Sequence, residues 1–286
     1  MKEFVLSNGV KIPEVGYGTW LVDNKIAYDC CLMAIKAGYT HIDSAQAYGN
    51  EENVGKAVRE CGLPREKLFV TTKVQAEFKN YKKAKQSIYE SLKTSGLDYF
   101  DLILIHCPQP WVLFRGKRRF FKENVEVWKA LEEAYEEGKA KAIGVSNFLV
   151  DDLENIINNC KIKPMVNQCL CHIGNTPIDV IKFCQENDIL FESYSPIAHG
   201  AALKNKKIIE MAGKYKVSVA QLCIKYTLEL GTVSLPKASS KEHIENNIKL
   251  DFEISDEDME ALIKLNEIDY GKDSMWPVFW RKNRAK

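Results

Sequence analysis

Four side chains with acid–base chemistry stand at or just after predicted strand ends. Asp43, Lys73 and His106 each end a short apolar run, and Tyr48 follows Asp43 by five residues. In a (β/α)8 barrel the carboxyl ends of all strands open on one face, so in that fold these groups meet. A single polar residue at a strand end is common. Three of different chemical types on adjacent strands indicate an active site.

Together these groups suit the donation of a proton to an oxygen atom. An isolated tyrosine has a pKa of about 10. A neighbouring ammonium favours phenolate, so Lys73 is expected to lower the pKa of Tyr48, while the Asp43 carboxylate keeps that ammonium charged. An N–H group of His106 can bind a polarised carbonyl oxygen. This set suits hydride addition to a carbonyl group, with the hydride supplied by a cofactor.

The elements that must position these groups are eight short apolar runs, which alternate with helical patterns. The runs cover residues 14–18, 40–43, 68–73, 99–106, 140–145, 165–168, 189–193 and 232–235. Phe100–Ile105 is nearly continuous in apolar character, as in a parallel strand buried on both faces. The alternation predicts a parallel sheet covered by helices. A doubly wound sheet fits this pattern too, but eight units favour a closed barrel.

Further elements are predicted at both ends of the chain. Phe4, Leu6, Val10 and Ile12 alternate around Asn8–Gly9, which predicts a hairpin with a two-residue turn. Additional helical patterns cover residues 217–230 and 255–265, and an aromatic segment follows at 275–280. Residues 1–286 are therefore predicted to form a single α/β domain. We expect a (β/α)8 TIM barrel with the hairpin capping its bottom and extra C-terminal helices.

Composition argues against several classes of partner. The formal net charge of +1 gives no strong field toward nucleic acid or membranes. The chain has no apolar run of about 18 residues and no signal-peptide core, so we expect a cytoplasmic protein. Its nine cysteines include no C-x-x-C pair and are predicted to be reduced thiols. Cys169, Cys171 and His172 are a poor zinc pattern, so no metal is predicted.

Longer motifs resemble those of the aldo-keto reductases, including bacterial-type members. The segment GYTHIDSA at residues 38–45, with Tyr48, Glu51 and Gly55, closely resembles the family's first signature, although Thr40 stands where Arg is usual. The resemblance covers nearly the whole chain. The other matching segments are NGVKIP (8–13), GYGTW (16–20), GVSNF (144–148), NQ (167–168), YSP (194–196) and LPK (235–237).

The resemblance implies a role for each matching residue. It implies that Tyr48 donates a proton to the carbonyl oxygen, that Lys73 and Asp43 tune it, and that His106 orients the substrate. It also implies nicotinamide contacts from Ser146, Asn147, Gln168, Tyr194 and Ser195, and substrate-pocket walls from Trp20 and Trp111. Taken alone, the two tryptophans are equally compatible with core or surface positions.

Cofactor binding is expected to follow the same family. Gly16-x-Gly18-x-x-Leu21 lacks the third glycine of the dinucleotide fingerprint. The resemblance instead implies that NADP(H) lies over the barrel mouth. Its phosphate-side contacts are then Lys237, Ser239, His243, Asn246 and Asn247.

Departures from the family pattern affect this cofactor segment. Ala238 replaces a usual Ser or Thr, and His243 replaces a usual Arg that grips phosphate with a bidentate fork. Asn246 replaces Glu and shortens the reach toward adenine. We expect NADPH to be preferred less strictly than in Arg-bearing relatives, so that NAD(H) use is possible.

Two further features leave alternatives open. Cys107 replaces a usual Trp after His106, and is interpreted as a small packed residue rather than a redox-sensitive thiol. Cations between Arg115 and Arg119 either attract an acidic substrate at the barrel mouth or form a solvated loop.

Two functions compete with that of an active carbonyl reductase. One is a catalytically weak regulatory barrel that binds the nucleotide, and the presence of all four acid–base residues argues against it. The other is a hydrolase or lyase using Asp43 and His106, which leaves the nicotinamide contacts unexplained. Among partners, the resemblance implies a small carbonyl substrate and a monomer. The sequence does not identify the physiological substrate.

Overall fold

Eight parallel strands form one sheet in the computed structural model, which describes residues 2–114, 116–265 and 268–271. The strands are β1 (Glu3–Val5), β2 (Lys11–Pro13), β3 (Tyr17–Gly18), β4 (His41–Asp43), β5 (Phe69–Val74), β6 (Phe100–Ile105), β7 (Ala140–Ser146), β8 (Val166–Leu170), β9 (Leu190–Tyr194) and β10 (Val233–Leu235). The helices are α1 (Asn24–Ala37), α2 (Glu51–Glu60), α3 (Tyr81–Ser95), α4 (Phe121–Glu136), α5 (Val150–Ile157), α6 (Ile178–Glu186), α7 (Lys206–Tyr215), α8 (Val219–Glu229), α9 (Lys241–Asn246) and α10 (Asp256–Lys264).

The sheet closes on itself. Strands β3 to β10 pair in chain order, each parallel to the next. The first and last of them are joined by backbone bonds from Gly16 N to Ser234 O (2.9 Å) and from Ser234 N to Glu14 O (2.9 Å). Gly16 permits this seam, because a Cβ atom there would lie 2.6 Å from both His41 Nδ1 and Leu235 Cδ2. The predicted barrel is confirmed, and the doubly wound alternative is wrong.

Burial explains why these segments form strands and helices. Every residue of β6 is buried, as expected for a parallel strand with the barrel interior on one side and helices on the other. In α3 the buried stripe includes Ala84, Ile88 and Leu92, spaced for one helix face. Gly96 ends α3 in the left-handed conformation, which glycine adopts without steric cost.

The N-terminal hairpin lies at the amino end of the barrel. Strands β1 and β2 pair antiparallel with Val5 opposite Lys11, and Asn8 Nδ2 donates to the carbonyl of Lys141 at the start of β7. The predicted cap is confirmed, but the predicted two-residue turn is wrong. Leu6 N donates to Val10 O, which leaves a loop of residues 7–9 in which Gly9 has a φ of 85°. That conformation favours glycine and allows the longer loop.

The two additional helices that the sequence predicted are both present. Helix α8 falls within residues 217–230, and α10 begins after Ser255, whose side chain accepts from Asp258 N. Helices α7 and α9 were not predicted. The aromatic segment 275–280 lies outside the described residues. No helix in the described part of the chain combines the length and apolarity needed to cross a membrane.

Candidate active site

The parallel register brings the predicted acid–base residues to one end of the barrel. Asp43 ends β4, and Lys73 is the penultimate residue of β5. His106 follows β6, and its backbone N–H donates to the carbonyl oxygen of Val74 (3.1 Å). Tyr48 ends the short 3-10 turn that follows β4. The four side chains that the sequence grouped therefore share one site.

The ammonium of Lys73 is the centre of this group. Its Nζ donates to Asp43 Oδ1 (2.6 Å), to the carbonyl of Ser44 (2.9 Å) and to the hydroxyl oxygen of Tyr48 (3.3 Å). The side chain is fully buried. These bonds use all three donors of the ammonium, so its position is fixed.

The charge state of Lys73 follows from its partners. Burial alone would lower the pKa of Lys73, but the Asp43 carboxylate and the Tyr48 oxygen outweigh it, so the pKa is raised. Lys73 is therefore an ammonium at neutral pH.

The direction of the shift at Tyr48 differs from the sequence expectation. Desolvation raises the pKa of Tyr48 more than the Lys73 ammonium lowers it, and the Asp43 carboxylate raises it further. The expected net lowering is wrong, because the sequence does not reveal how far the phenol is desolvated. Tyr48 holds its proton at neutral pH, and the adjacent ammonium is placed to stabilise the phenolate once the proton leaves.

His106 faces Tyr48 from the next strand. Its ring centroid lies 5.6 Å from that of Tyr48 and 5.1 Å from that of Trp111. Burial and the ammonium groups of Lys73 and Lys79 hold the pKa of His106 well below its ordinary value, so the ring is neutral. Its Nδ1 is buried without a hydrogen-bond partner among the described residues. A buried lone pair is less costly to leave unpaired than a buried N–H, so the proton belongs on Nε2.

A cavity of about 520 Å³ opens at this end of the barrel. Its lining includes residues of the predicted catalytic, cofactor and substrate groups. These are Asp43, Tyr48, His106, Ser146, Asn147, Gln168, Tyr194, Ser195, Lys237, Trp20 and Trp111. The sequence prediction did not include His199, which also lines it and whose ring lies 5.0 Å from that of Trp20.

One wall of the cavity is a chain of hydrogen-bonded polar groups. Tyr194 donates to Asn147 Oδ1 (2.7 Å), and Asn147 Nδ2 donates to the carbonyl of His106 (3.0 Å). Ser146 donates to the backbone carbonyl of Gln168 (2.8 Å). Asn147 and Ser195 have positive φ angles of 63° and 52°, a strained conformation that is often found at functional sites.

The segment after β10 carries the other predicted cofactor residues. Lys237 is exposed and reaches the cavity, while Ser239 and His243 are exposed farther along. Asn246 is partly buried and accepts from Lys249 Nζ (3.0 Å), and Asn247 is only 5% exposed. Lys237 is thus the one of these five that adjoins the cavity.

The expectation for Cys107 is resolved by its burial. Cys107 is fully buried beside Ala76 and Phe114, and burial raises the pKa of its thiol, as expected of a packed residue and not of a reactive one.

The basic loop does not present all its cations to the cavity. Arg118 pairs with Glu123 (3.2 Å), and Arg119 pairs with Asp151 and Asp152. Arg115 lies outside the described residues. The described arginines are bound to carboxylates near the starts of α4 and α5, which weakens the idea that they attract an acidic substrate.

The thiols and imidazoles do not gather into a metal centre in the ranges that the structure describes. His172 Nδ1 lies 3.0 Å from the carbonyl oxygen of Ile173, and Cys169 and Cys171 are buried free thiols.

Comparison with known proteins identifies the class. A sequence model of the Aldo/keto reductase family matches residues 14–267. The chain therefore belongs to this family and is an oxidoreductase of carbonyl compounds that uses a nicotinamide cofactor.

Individual relatives agree with that assignment. The chain is 41% identical over 265 residues to glyoxal reductase of Bacillus subtilis, with 92% of each chain covered. It is 39% identical over 267 residues to 9,11-endoperoxide prostaglandin H2 reductase of Trypanosoma cruzi, covering 92% of this chain and 90% of the relative. Among solved structures it resembles an aldo-keto reductase from a Medee basin deep-sea metagenome library. That match has a TM-score of 0.86 and 36% identity over 92% of this chain and 95% of the other.

Proposed function

We propose that the protein reduces small aldehydes or ketones with Tyr48 as the proton donor. The observation that carries this proposal is the bond from Lys73 Nζ to the Tyr48 hydroxyl oxygen. Because the ammonium occupies a lone pair of that oxygen, the phenolic proton points elsewhere, and Tyr48 lines the cavity. The Tyr48 O–H has no acceptor among the described residues, so it is available to a carbonyl oxygen. After donation, the phenolate faces a fixed positive charge.

His106 holds the carbonyl oxygen beside Tyr48. A neutral ring with its proton on Nε2 donates one hydrogen bond into the cavity, which polarises the carbonyl group without adding a charge. Trp20 and Trp111 supply apolar walls at the mouth, with Trp20 still 38% exposed. This combination suits a small carbonyl compound with an apolar substituent.

The same cavity fits a nicotinamide cofactor, which supplies the hydride that reduces the carbonyl carbon. Tyr194 offers a half-buried aromatic face, and Ser146, Asn147 and Gln168 offer polar groups on one wall. Ser195 and Lys237 line the cavity as well, and Ser239, His243, Asn246 and Asn247 continue from it. We propose NADP(H) as the preferred form, supported by Lys237, with NAD(H) also accepted because His243 is a weak phosphate ligand.

The structure also bears on the proposed oligomeric state and cellular compartment. We propose a single-domain monomer, since the proposed catalytic groups of one chain already lie together at one end of its barrel. All nine cysteines are free thiols, which supports a reducing compartment such as the cytoplasm. No observation favours the regulatory or hydrolytic alternatives.

Replacing the phenol tests the proposal. Protein, NADPH and a reactive aldehyde are mixed, and cofactor oxidation is followed by absorbance. Tyr48→Phe is expected to lower kcat by about 10²–10⁴-fold, since it removes the general acid, while NADPH binding measured by fluorescence is retained. Tyr89→Phe, on the outer side of α3, is the matched control. Full turnover by the Tyr48 variant would show that another group donates the proton.

A further inference from the structure

Glu192 is a buried carboxyl group that the proposed reaction does not use. It lies in the middle of β9, two residues before Tyr194, and its side chain is fully buried inside the barrel. A glutamate in this position is unusual, because a charged side chain is rarely buried without a partner. Its contacts therefore show which groups it could position.

The main contact of Glu192 is the amide of Gln168. Gln168 Nε2 donates to Glu192 Oε2 (2.8 Å) and also to Asp43 Oδ2 (2.8 Å). Both amide hydrogens are therefore used by carboxyl oxygens. Reversing the amide would place its oxygen against the Asp43 carboxylate, which can only accept. Glu192 Oε2 provides the second acceptor for the amide hydrogens, so these two contacts hold the amide in the observed direction.

The other amide atom of Gln168 is left unpaired. Gln168 lines the cavity, and its Oε1 accepts no hydrogen bond from the described residues. Because Nε2 is bound to the two carboxyl groups, Oε1 remains as the acceptor on the opposite side of the amide. An acceptor in this position complements an amide N–H group, such as the amino group of a nicotinamide carboxamide.

The surroundings of Glu192 determine its charge. Its Oε1 has no hydrogen-bond partner in the part of the chain that the structure describes. His41 Nε2, 3.9 Å away, lies 3.1 Å from Thr71 Oγ1. Burial lowers the pKa of His41 to about 3, so His41 offers no positive charge. Burial, together with the Asp43 carboxylate, raises the pKa of Glu192 to about 8, and the hydrogen bond from Gln168 and the Lys73 ammonium only partly oppose this. Glu192 is thus a neutral acid at pH 7, with one oxygen that accepts from Gln168.

We propose that Glu192 is a positioning residue that fixes the Gln168 amide so that Oε1 faces the cavity and accepts from the cofactor carboxamide. This proposal rests on the proposed function, because it presumes that nicotinamide binds on the wall of the cavity that Gln168 lines. Glu192 itself does not line the cavity, so it is placed to act through Gln168. Its effect is therefore expected on cofactor affinity.

The test replaces Glu192 with residues that keep or remove the acceptor. Glu192→Leu removes it, and the Kd for NADPH, measured by fluorescence, is expected to rise about tenfold, since one hydrogen bond is lost. The KM for the carbonyl substrate is expected to stay unchanged. Glu192→Gln keeps a neutral acceptor, and its Kd is expected to lie within about twofold of wild type. Glu192→Met, which repacks easily, repeats the removal should the leucine variant not fold.

A double-variant cycle separates positioning from packing. Gln168→Leu is expected to raise the Kd as much as Glu192→Leu does, and the two together are expected to give no further increase. The proposal would be overturned if the two increases in Kd were additive. It would also be overturned by an unchanged Kd in a folded leucine or methionine variant, or by a Kd in Glu192→Gln as high as that in Glu192→Leu. Wild-type protein serves as the separate check on the proposed function, because its failure to bind or oxidise NADPH would reject that function first.

Discussion

The Nζ atom of Lys73 lies 3.3 Å from the hydroxyl oxygen of Tyr48, and the same nitrogen lies 2.6 Å from a carboxylate oxygen of Asp43. The lysine thus joins the proposed acid to a fixed negative charge. Its removal is expected to affect catalysis and stability by different routes.

Lys73→Met is expected to lower kcat by about 10²-fold or more, because the phenolate loses its neighbouring charge. It is also expected to destabilise the protein by about 3–5 kcal/mol, since it leaves the Asp43 carboxylate buried and unpaired. Adding Asp43→Asn to this variant removes that charge. The double variant is expected to regain most of the lost Tm but none of the activity. Recovery of both would show that Lys73 acts only through stability.

His106 is expected to cause no loss of activity as the pH falls through the range in which free histidine titrates. Its pKa is held well below the ordinary value of 6.5, so the ring stays neutral and its protonation begins only at lower pH. The measurement is kcat/KM for aldehyde reduction from about pH 7.5 to about pH 5.5. A decline with an apparent pKa near 6.5 that disappears in His106→Gln would contradict the assignment.

Most of the acid–base site could be predicted from the sequence because its residues lie at strand ends. Asp43, Lys73 and His106 close apolar runs, and the parallel register then brings them together whatever the loops do. The barrel and three of the four acid–base residues therefore follow from local pattern, whereas Tyr48 is placed by the turn after β4. The exact turn of the hairpin does not, because Asn8–Gly9 is compatible with both a two-residue and a three-residue loop.

Contacts across the barrel could not be predicted in this way. Glu192 stands in the sequence as one polar residue in a strand, and only the closed sheet shows that it meets Gln168 and faces His41. His199 reaches Trp20 because residues 198–200 adopt left-handed backbone angles, which depend on packing. The raised pKa of Tyr48 likewise depends on burial, which the sequence pattern does not reveal.

Glu192 is also expected to make the protein less stable as the pH rises. Its carboxyl group has an ordinary pKa of 4.5 when unfolded but about 8 in the fold, so folding takes up a proton between these values. Stability from this group is complete below about pH 4.5 and is lost as the pH rises through about 8, with a size on the order of a few kcal/mol.

Glu192→Gln removes this titration and leaves every other group in place. The Tm of the variant minus that of wild type is therefore expected to be larger at about pH 8.5 than at about pH 5.5. The pH-dependent shifts in Tm that come from histidines and from the other carboxyl groups cancel in that difference. A difference that stays constant with pH would mean that Glu192 ionises normally in the folded protein.

We expect His243 to influence the proposed preference between NADPH and NADH. Its side chain is exposed two residues into α9, and Ser240 Oγ accepts from its backbone N–H at 3.3 Å, so a longer side chain can be accommodated. His243→Arg replaces an imidazole ring with a guanidinium that binds phosphate through two hydrogen bonds. The ratio of kcat/KM for NADPH to that for NADH is expected to rise about tenfold. The increase is expected to shrink as salt is raised, because the charges are exposed. His243→Gln, which adds no charge, is the matched control and is expected to leave the ratio within about threefold of wild type. An unchanged ratio in the arginine variant would place the 2′-phosphate away from α9.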